Sequence, residues 1–426
     1  MKMTEDAEFI RNTVMKHQKW FEESLPMIAS ENLISPLARE MLISDLHDRY
    51  AEGWVHERYY NGNIYVDQLE ERIMSMARDL FGSKFADVRP ISGTVANMAV
   101  LFGFTKHGDT IATPALSDGA HISSAKFGAV GFRGVSTVNY PFDRKEMVTD
   151  VEGAKKLILE HKPKLCLFGR SVFLFPEPLE ELKPTMEEIG CTVWYDAAHV
   201  LGLIAGKRFQ DPLREGAEII SGSTHKTLPG PQHGIIIANP KSEKNEKRLK
   251  RGVFPGVTSN HHLHAMAALG IALAEHKEFG EAYASQTIKN AQALGQALYE
   301  RGIPVLCEHK GFTASHTIAV DVSEFGGGEL VANNLEKANI ISNKNLLPED
   351  KSPKHPSGIR LGTQELTRVG MKEKEMSEVA ELIARVAKGE EPKKVREDVK
   401  ELKKDFTRIH YCFASGEEAY RYYKLV

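Results

Sequence analysis

The chain has 426 residues, 42% of them hydrophobic and 27% charged, a globular composition that excludes a disordered or fibrous protein. Lys and Arg number 55 against 58 Asp and Glu, for a net charge of -3, so no overall basic surface invites nucleic acid and small molecules are the expected partners. At about 150 residues per domain, this length predicts two or three lobes.

The N-terminal residues Met1 to Trp20 mix Lys, Glu, Asp and Arg without an apolar core, so neither signal peptide nor anchor is expected. The longest apolar stretch, Ala265 to Ala274, is far shorter than the roughly 20 residues that span a bilayer. A cytoplasmic protein is expected, with Cys166, Cys191, Cys307 and Cys412 as reduced packing residues, since no Cys-x-x-Cys pair occurs.

Residues 1–50 carry a helical pattern broken by Pro26 and Pro36 and read as an arm laid on something larger. A helix is predicted from Val66 to Phe81, followed by a loop, Val88-Arg-Pro-Ile-Ser-Gly93, that enters another. Short apolar runs then alternate with helical stretches. They are Thr110 to Thr113, Val135 to Val138, Lys164 to Phe168, Thr192 to Tyr195, Glu218 to Ser221 and Gly234 to Ala238.

Such alternation predicts an α/β domain with a mostly parallel sheet, whose active-site residues gather at the carboxyl ends of strands. A long helix from His262 to Glu300 leads into a smaller α/β lobe with a strand at Thr317 to Val322, a Gly326-Gly-Gly328 turn and a loop ending in Arg360. The tail after Gly389, rich in Lys and Glu, reads as a solvated helix. The expected division is an arm (1–50), a large cofactor-binding domain (51–275) and a small domain (276–426).

Chemistry concentrates in Ser221-Gly-Ser-Thr-His-Lys226-Thr-Leu-Pro-Gly-Pro231, where a strand end runs into a tight turn presenting one lysine. Thirty residues earlier Asp196 stands at another strand end, in Trp194-Tyr-Asp-Ala-Ala-His199. Alone, the first is a surface lysine and the second a helix cap. Together they supply what an imine-forming pyridine cofactor needs: a lysine for the imine and an acid beneath the ring nitrogen. Ser92-Gly93-Thr94 offers hydroxyls and N–H groups at a helix start for phosphate, and Arg360 a fork for a carboxylate. His261, His262 and His264 lack a carboxylate or cysteine at ligand spacing, so helix-start polar residues account for them and no metal is expected.

The motifs, in order, resemble the serine hydroxymethyltransferase family along nearly the whole chain: Ile28-Ala-Ser-Glu-Asn32, Tyr50-Ala-Glu-Gly53, Arg58-Tyr-Tyr60, Ser92-Gly93, Asp196-Ala-Ala-His199, Thr224-His-Lys-Thr227, Val253-Phe-Pro-Gly256, Asn343-Lys-Asn345 and Gly358-Ile-Arg360. The resemblance implies the aspartate-aminotransferase-like fold (fold type I) with a large, mostly parallel sheet domain and a smaller C-terminal α/β domain. It also implies pyridoxal 5'-phosphate as cofactor and a homodimer with shared active sites.

Carried over by position, Lys226 matches the imine lysine, Asp196 the partner of the ring nitrogen and His121 the imidazole stacked on the ring. Ser171 and His199 match groups near the phenolate oxygen; Gly93 and Thr94 match the phosphate cradle, with Ser223 assisting and His225 beside the lysine. Arg360 and Ser30 match the substrate-carboxylate clamp and Glu52 the acid–base carboxylate. Tyr50 and Tyr60 match tyrosines donated by a partner subunit, and Asn345 a residue of the pterin site.

The chain departs from the family pattern at Trp54-Val-His-Glu57, at Gln232-His233, around Ser259-Asn260, at Arg170 and at Ala120. These positions bear on the second substrate more than on the cofactor. The expected reaction is reversible transfer of the serine hydroxymethyl group to a tetrahydropterin, either tetrahydromethanopterin or tetrahydrofolate, giving glycine. Two alternatives stay open: a pterin-independent aldolase acting on β-hydroxy or other amino acids, and a non-catalytic dimeric binding protein.

Overall fold

The computed structural model describes residues 3–350, 352 and 354–425. Seven strands build the larger sheet: β1 (Phe85–Asp87), β2 (Thr110–Thr113), β3 (Ser136–Asn139), β4 (Leu165–Phe168), β5 (Thr192–Asp196), β6 (Ile219–Ser223) and β7 (Gly234–Ala238). Their spatial order is β1-β7-β6-β5-β4-β2-β3. Every neighbouring pair is parallel except those of β7, which runs antiparallel to both β6 and β1. β1 was not foreseen, being only three residues long and directly ahead of the expected loop Val88 to Gly93; it pairs with β7 alone.

Both faces of this sheet are covered. Ile235 and Ile237 pack into one apolar cluster and Ile236 into the other, as Val193 and Tyr195 oppose Trp194, the period-2 alternation of a strand. A strand buried on both sides reads as a continuous apolar run, which is why the sequence signals it so clearly. The N-terminal arm opens with α1 (Glu5–Glu22), which packs toward the second core through Trp20 on Asn339, whereas the helices covering the sheet include α2 (Ile64–Phe81) and α3 (Gly93–Phe104). The Ser92 hydroxyl caps α3 by accepting the Val95 N–H at 3.1 Å.

A 38-residue helix, α4 (Leu263–Glu300), about 57 Å long at 1.5 Å per residue, links two cores. Leu263, Met266, Leu269 and Leu273 pack with the large sheet, whereas Ala291, Leu294 and Leu298 pack in the second core. The boundary expected at 275/276 falls inside this helix.

The second core covers a three-stranded antiparallel sheet of β8 (Thr317–Asp321), β9 (Asn343–Asn345) and β10 (Gly358–Gly362), with β10 in the centre. Here one expectation is corrected: Arg360 lies in mid-strand, not at the end of a loop. The segment Gly358-Ile-Arg-Leu-Gly362 is short and bounded by glycines, which mimics a turn, but Ile359 and Leu361 point into the core and leave Arg360 on the opposite face.

The tail is corrected as well. Its helix α5 (Pro392–Lys403) is charged on one side, but Val395 and Val399 on the other are fully buried in the second core. The arm also belongs to that core: Leu25 and Met27 are fully buried there, and Leu25–Pro26 pairs in parallel with Ile340–Ile341. Among the described residues no helix is long and apolar enough to cross a membrane.

Candidate active site

Because β5 and β6 run parallel with Asp196 opposite Ser221, their carboxyl ends open at the same edge of the sheet. Beyond β6 the chain turns at once: the Thr224 carbonyl accepts the Gly230 N–H at 2.8 Å, and the Thr224 hydroxyl donates to the Pro231 carbonyl at 2.8 Å. Thr227 donates to the His199 carbonyl at 2.9 Å, and Asn32 donates to the Lys226 carbonyl at 2.5 Å. Lys226 is thus held on a braced turn and aimed into a cleft of about 370 Å³.

Ten of the residues expected at the site line this cleft. Lys226, Asp196, His121, His199 and His225 supply its titratable groups; Ser30, Gly93, Thr94, Ser171 and Ser223 supply hydroxyls and close backbone. Glycine is required at 93, since a Cβ there would lie 2.2 Å from the Ser223 hydroxyl oxygen. Arg360 reaches the same region: one terminal nitrogen donates to the Ser171 carbonyl at 2.9 Å and the other to the Asn343 Oδ1 at 3.3 Å.

Burial sets the protonation pattern. It pushes Lys226 down to about 8, with Asp196 opposing the shift and Arg360 adding to it. Burial likewise lowers His121, drives His199 well below the usual imidazole range and brings His225 to about 4. Arg360 falls to about 10 for the same reason.

Four expected residues lie elsewhere. Glu52, Tyr50 and Tyr60 sit on or beside a hairpin away from the cleft; the two tyrosine rings pack 4.8 Å apart and each is nearly half exposed. Asn345 is on the edge strand β9, where its amide donates to the Leu346 carbonyl at 2.6 Å, and Asn343 two residues earlier meets Arg360 instead.

The departures from the family pattern resolve into contacts. Arg170 lines the cleft with three donors occupied, by Glu177 at 2.7 Å, Thr149 at 2.8 Å and the Asp118 carbonyl at 2.6 Å, so it braces the loop carrying His121. His233 is fully buried, bonded to the Val88 carbonyl at 2.7 Å and lowered to about 3 by burial. Asn260 ties its loop to the hairpin by accepting the Ala51 N–H at 2.9 Å. Trp54 lies under the Arg89 guanidinium, 4.0 Å from the ring centroid. His261 does have a carboxylate neighbour, Glu70 at 3.1 Å, brought in from α2 nearly two hundred residues away.

Asn97 was missed as a site residue. Its amide nitrogen donates to Asp196 Oδ2 at 2.8 Å and to Ser123 Oγ at 3.0 Å, and its oxygen accepts from Ser221 at 2.6 Å. Helical spacing was the available signal: position 97 is one turn after Gly93 and shares its face.

The donor set fits pyridoxal phosphate. His199 Nδ1, His225 Nδ1 and Arg360 Nε are buried without a hydrogen-bond partner among the described residues, and all three lie in or against the cleft. Buried polar atoms are seldom left unpaired, so such a cluster marks where a polar group binds.

Comparison with known proteins agrees. The family model for serine hydroxymethyltransferase matches residues 3–383. The serine hydroxymethyltransferase of Thermoplasma acidophilum is 56% identical over 425 residues, covering 99% of each chain. That of Methanopyrus kandleri is 52% identical, covering 99% of this chain and 98% of its own. A crystal structure of L-threonine transaldolase from Pseudomonas fluorescens in its internal aldimine state superposes with a TM-score of 0.88 at 29% identity, over 96% of this chain and 93% of that one.

Proposed function

The chain belongs to the serine hydroxymethyltransferase family, and from that premise we propose which of its residues carry serine–glycine interconversion and what accepts the one-carbon unit. It is a pyridoxal-phosphate enzyme of fold type I. The cofactor supplies, when bound, an electron sink for negative charge at the amino-acid Cα. One observation carries the assignment of roles: Lys226 and Asp196, on neighbouring parallel strand ends, enter one cleft beside Arg360.

Lys226 holds the cofactor, and with a pKa of about 8 a useful fraction of its amine is neutral and nucleophilic near pH 7. Asp196 stands at the ring nitrogen, His121 on the ring face, and Ser171 and His199 at the phenolate side. Gly93, Thr94 and Ser223 take the phosphate, with His225 flanking it. Arg360 and Ser30 hold the substrate carboxylate, and the fork of arginine fixes its orientation.

Glu52 moves the proton of the serine hydroxyl. Because Glu52, Tyr50 and Tyr60 do not line the cleft of their own chain, a second copy supplies them, which makes the working unit a homodimer. The division into arm, large domain and small domain is part of the same proposal, with α4 as the shared spine. Asn345 belongs with the carrier. That carrier is a tetrahydropterin, tetrahydromethanopterin before tetrahydrofolate, since Gln232 and the run Val257 to His264 resemble archaeal members of the family.

A second reading draws on the structural neighbour named for L-threonine transaldolase: carrier-independent cleavage of a β-hydroxy amino acid. The test is loss of serine with tetrahydromethanopterin, with tetrahydrofolate and with neither. Turnover only with a carrier supports transfer, and its relative rates choose the carrier; equal turnover of serine or threonine without one replaces it with the second reading.

A further inference from the structure

Behind the cleft, hydrogen bonds run in one direction only. The indole of Trp194 can only donate, and it donates to the Ser221 hydroxyl oxygen at 2.8 Å. The single proton of Ser221 then goes to Asn97 Oδ1 at 2.6 Å. The Asp196 carboxylate can only accept, so it fixes the nitrogen side of the Asn97 amide, whose two N–H bonds meet Asp196 Oδ2 and Ser123 Oγ while its oxygen faces Ser221. The Ser123 backbone N–H, which can only donate, points at His121 Nδ1 at 3.2 Å and makes that nitrogen an acceptor, so the Ser123 hydroxyl 2.8 Å away donates to it as well. An imidazole that accepts at Nδ1 carries its proton on Nε2.

Trp194, Ser221, Asn97 and Ser123 are each 3% exposed or less, so bulk water cannot substitute for any link. We propose that Asn97 is a positioning residue whose amide couples the carboxylate assigned to the ring nitrogen to the imidazole assigned to the ring face, holding Asp196 as an acceptor and His121 as the Nε2–H tautomer. This rests on the assignment of Asp196 and His121 given above. Neither role is visible in a family motif, because Asn97 touches no reacting group; it sets the orientation of two that do.

Two measurements test it. In uniformly ¹⁵N-labelled holoenzyme, the ring signals of His121, assigned by their loss in His121→Gln, should show Nδ1 without a proton and Nε2 with one; the reverse pattern overturns the donor order and with it the proposal. Asn97→Asp keeps the size but cannot donate, so Ser123 turns toward it and Asp196 Oδ2 loses its partner, leaving only the Ala198 N–H on Oδ1. In that variant cofactor release should quicken and kcat for serine should fall by about 10- to 100-fold, the range for partners that orient functional groups. Serine KM should stay within about threefold, because Arg360 is untouched.

Should Asn97→Asp not fold, Ser221→Ala breaks the same chain one link earlier and should shift kcat and cofactor release the same way, while Ser221→Thr, which keeps the hydroxyl, should restore both. Unchanged kcat and cofactor release in these variants overturn the inference while leaving the site intact. If the wild-type protein shows no visible cofactor absorbance that Lys226→Ala removes, the site assignment itself fails.

Discussion

Replacing Arg360 with lysine keeps the positive charge and changes only the number and direction of donors. The guanidinium has five N–H bonds, of which the Ser171 carbonyl and the Asn343 oxygen take two. Three remain, enough for a two-pronged grip on a carboxylate. A lysine has three donors; once the same two protein acceptors are met, one is left for substrate. The variant therefore loses one charge-assisted hydrogen bond, worth about 1.5–3 kcal/mol, or roughly 10- to 150-fold in kcat/KM for serine. Burial of the site prevents water from replacing the missing donor, which favours the upper half of that range. Steady-state kinetics with serine, alongside a cofactor titration, measures it. A kcat/KM within twofold of wild type, or a loss of cofactor affinity in place of substrate affinity, would refute the carboxylate-clamp argument.

Two further outcomes follow from burial and geometry. Lys226 titrates near 10.5 when unfolded and about 8 when folded, so the folded apoprotein binds that proton less tightly. Its burial penalty, about 3 kcal/mol at 1.36 kcal/mol per unit, is therefore full below pH 8 and fades as pH rises through 10.5. Urea unfolding of the apoprotein should show this gain in stability between pH 8 and 10, and Lys226→Met should abolish it; an unchanged slope in the variant contradicts the assignment. Mixing Lys226→Ala chains with Glu52→Gln chains under conditions that exchange subunits should restore roughly a quarter of wild-type turnover, since half the dimers are hybrids with one complete site each. No recovery, with hybrid dimers demonstrated by mass, would place Glu52 in the site of its own chain.

The sequence by itself determined the parts of this protein whose signal is local. Strands buried on both faces, such as Ile235 to Ile237, announce themselves as continuous apolar runs, and residues that must follow a strand end, Asp196 and Lys226, inherit their position from those strands. Gly93, with no room for a Cβ beside Ser223, was marked by its place at a helix start. Family resemblance supplied the names of the roles.

Tertiary structure alone decided what depends on segments distant in the chain. Arg360 looked like a loop residue until its neighbours β8 and β9 made its segment a central strand. Asn345 and Asn343 are indistinguishable by sequence, yet only Asn343 reaches the arginine. Arg170 became a brace because Glu177 and Thr149 meet it, and Asn97 became a hub because Trp194, Ser221 and Ser123 surround it. The physical reason is the same in each case. A buried polar side chain is defined by the partners that satisfy it, and those partners are fixed by strand order and helix packing, which no local pattern records.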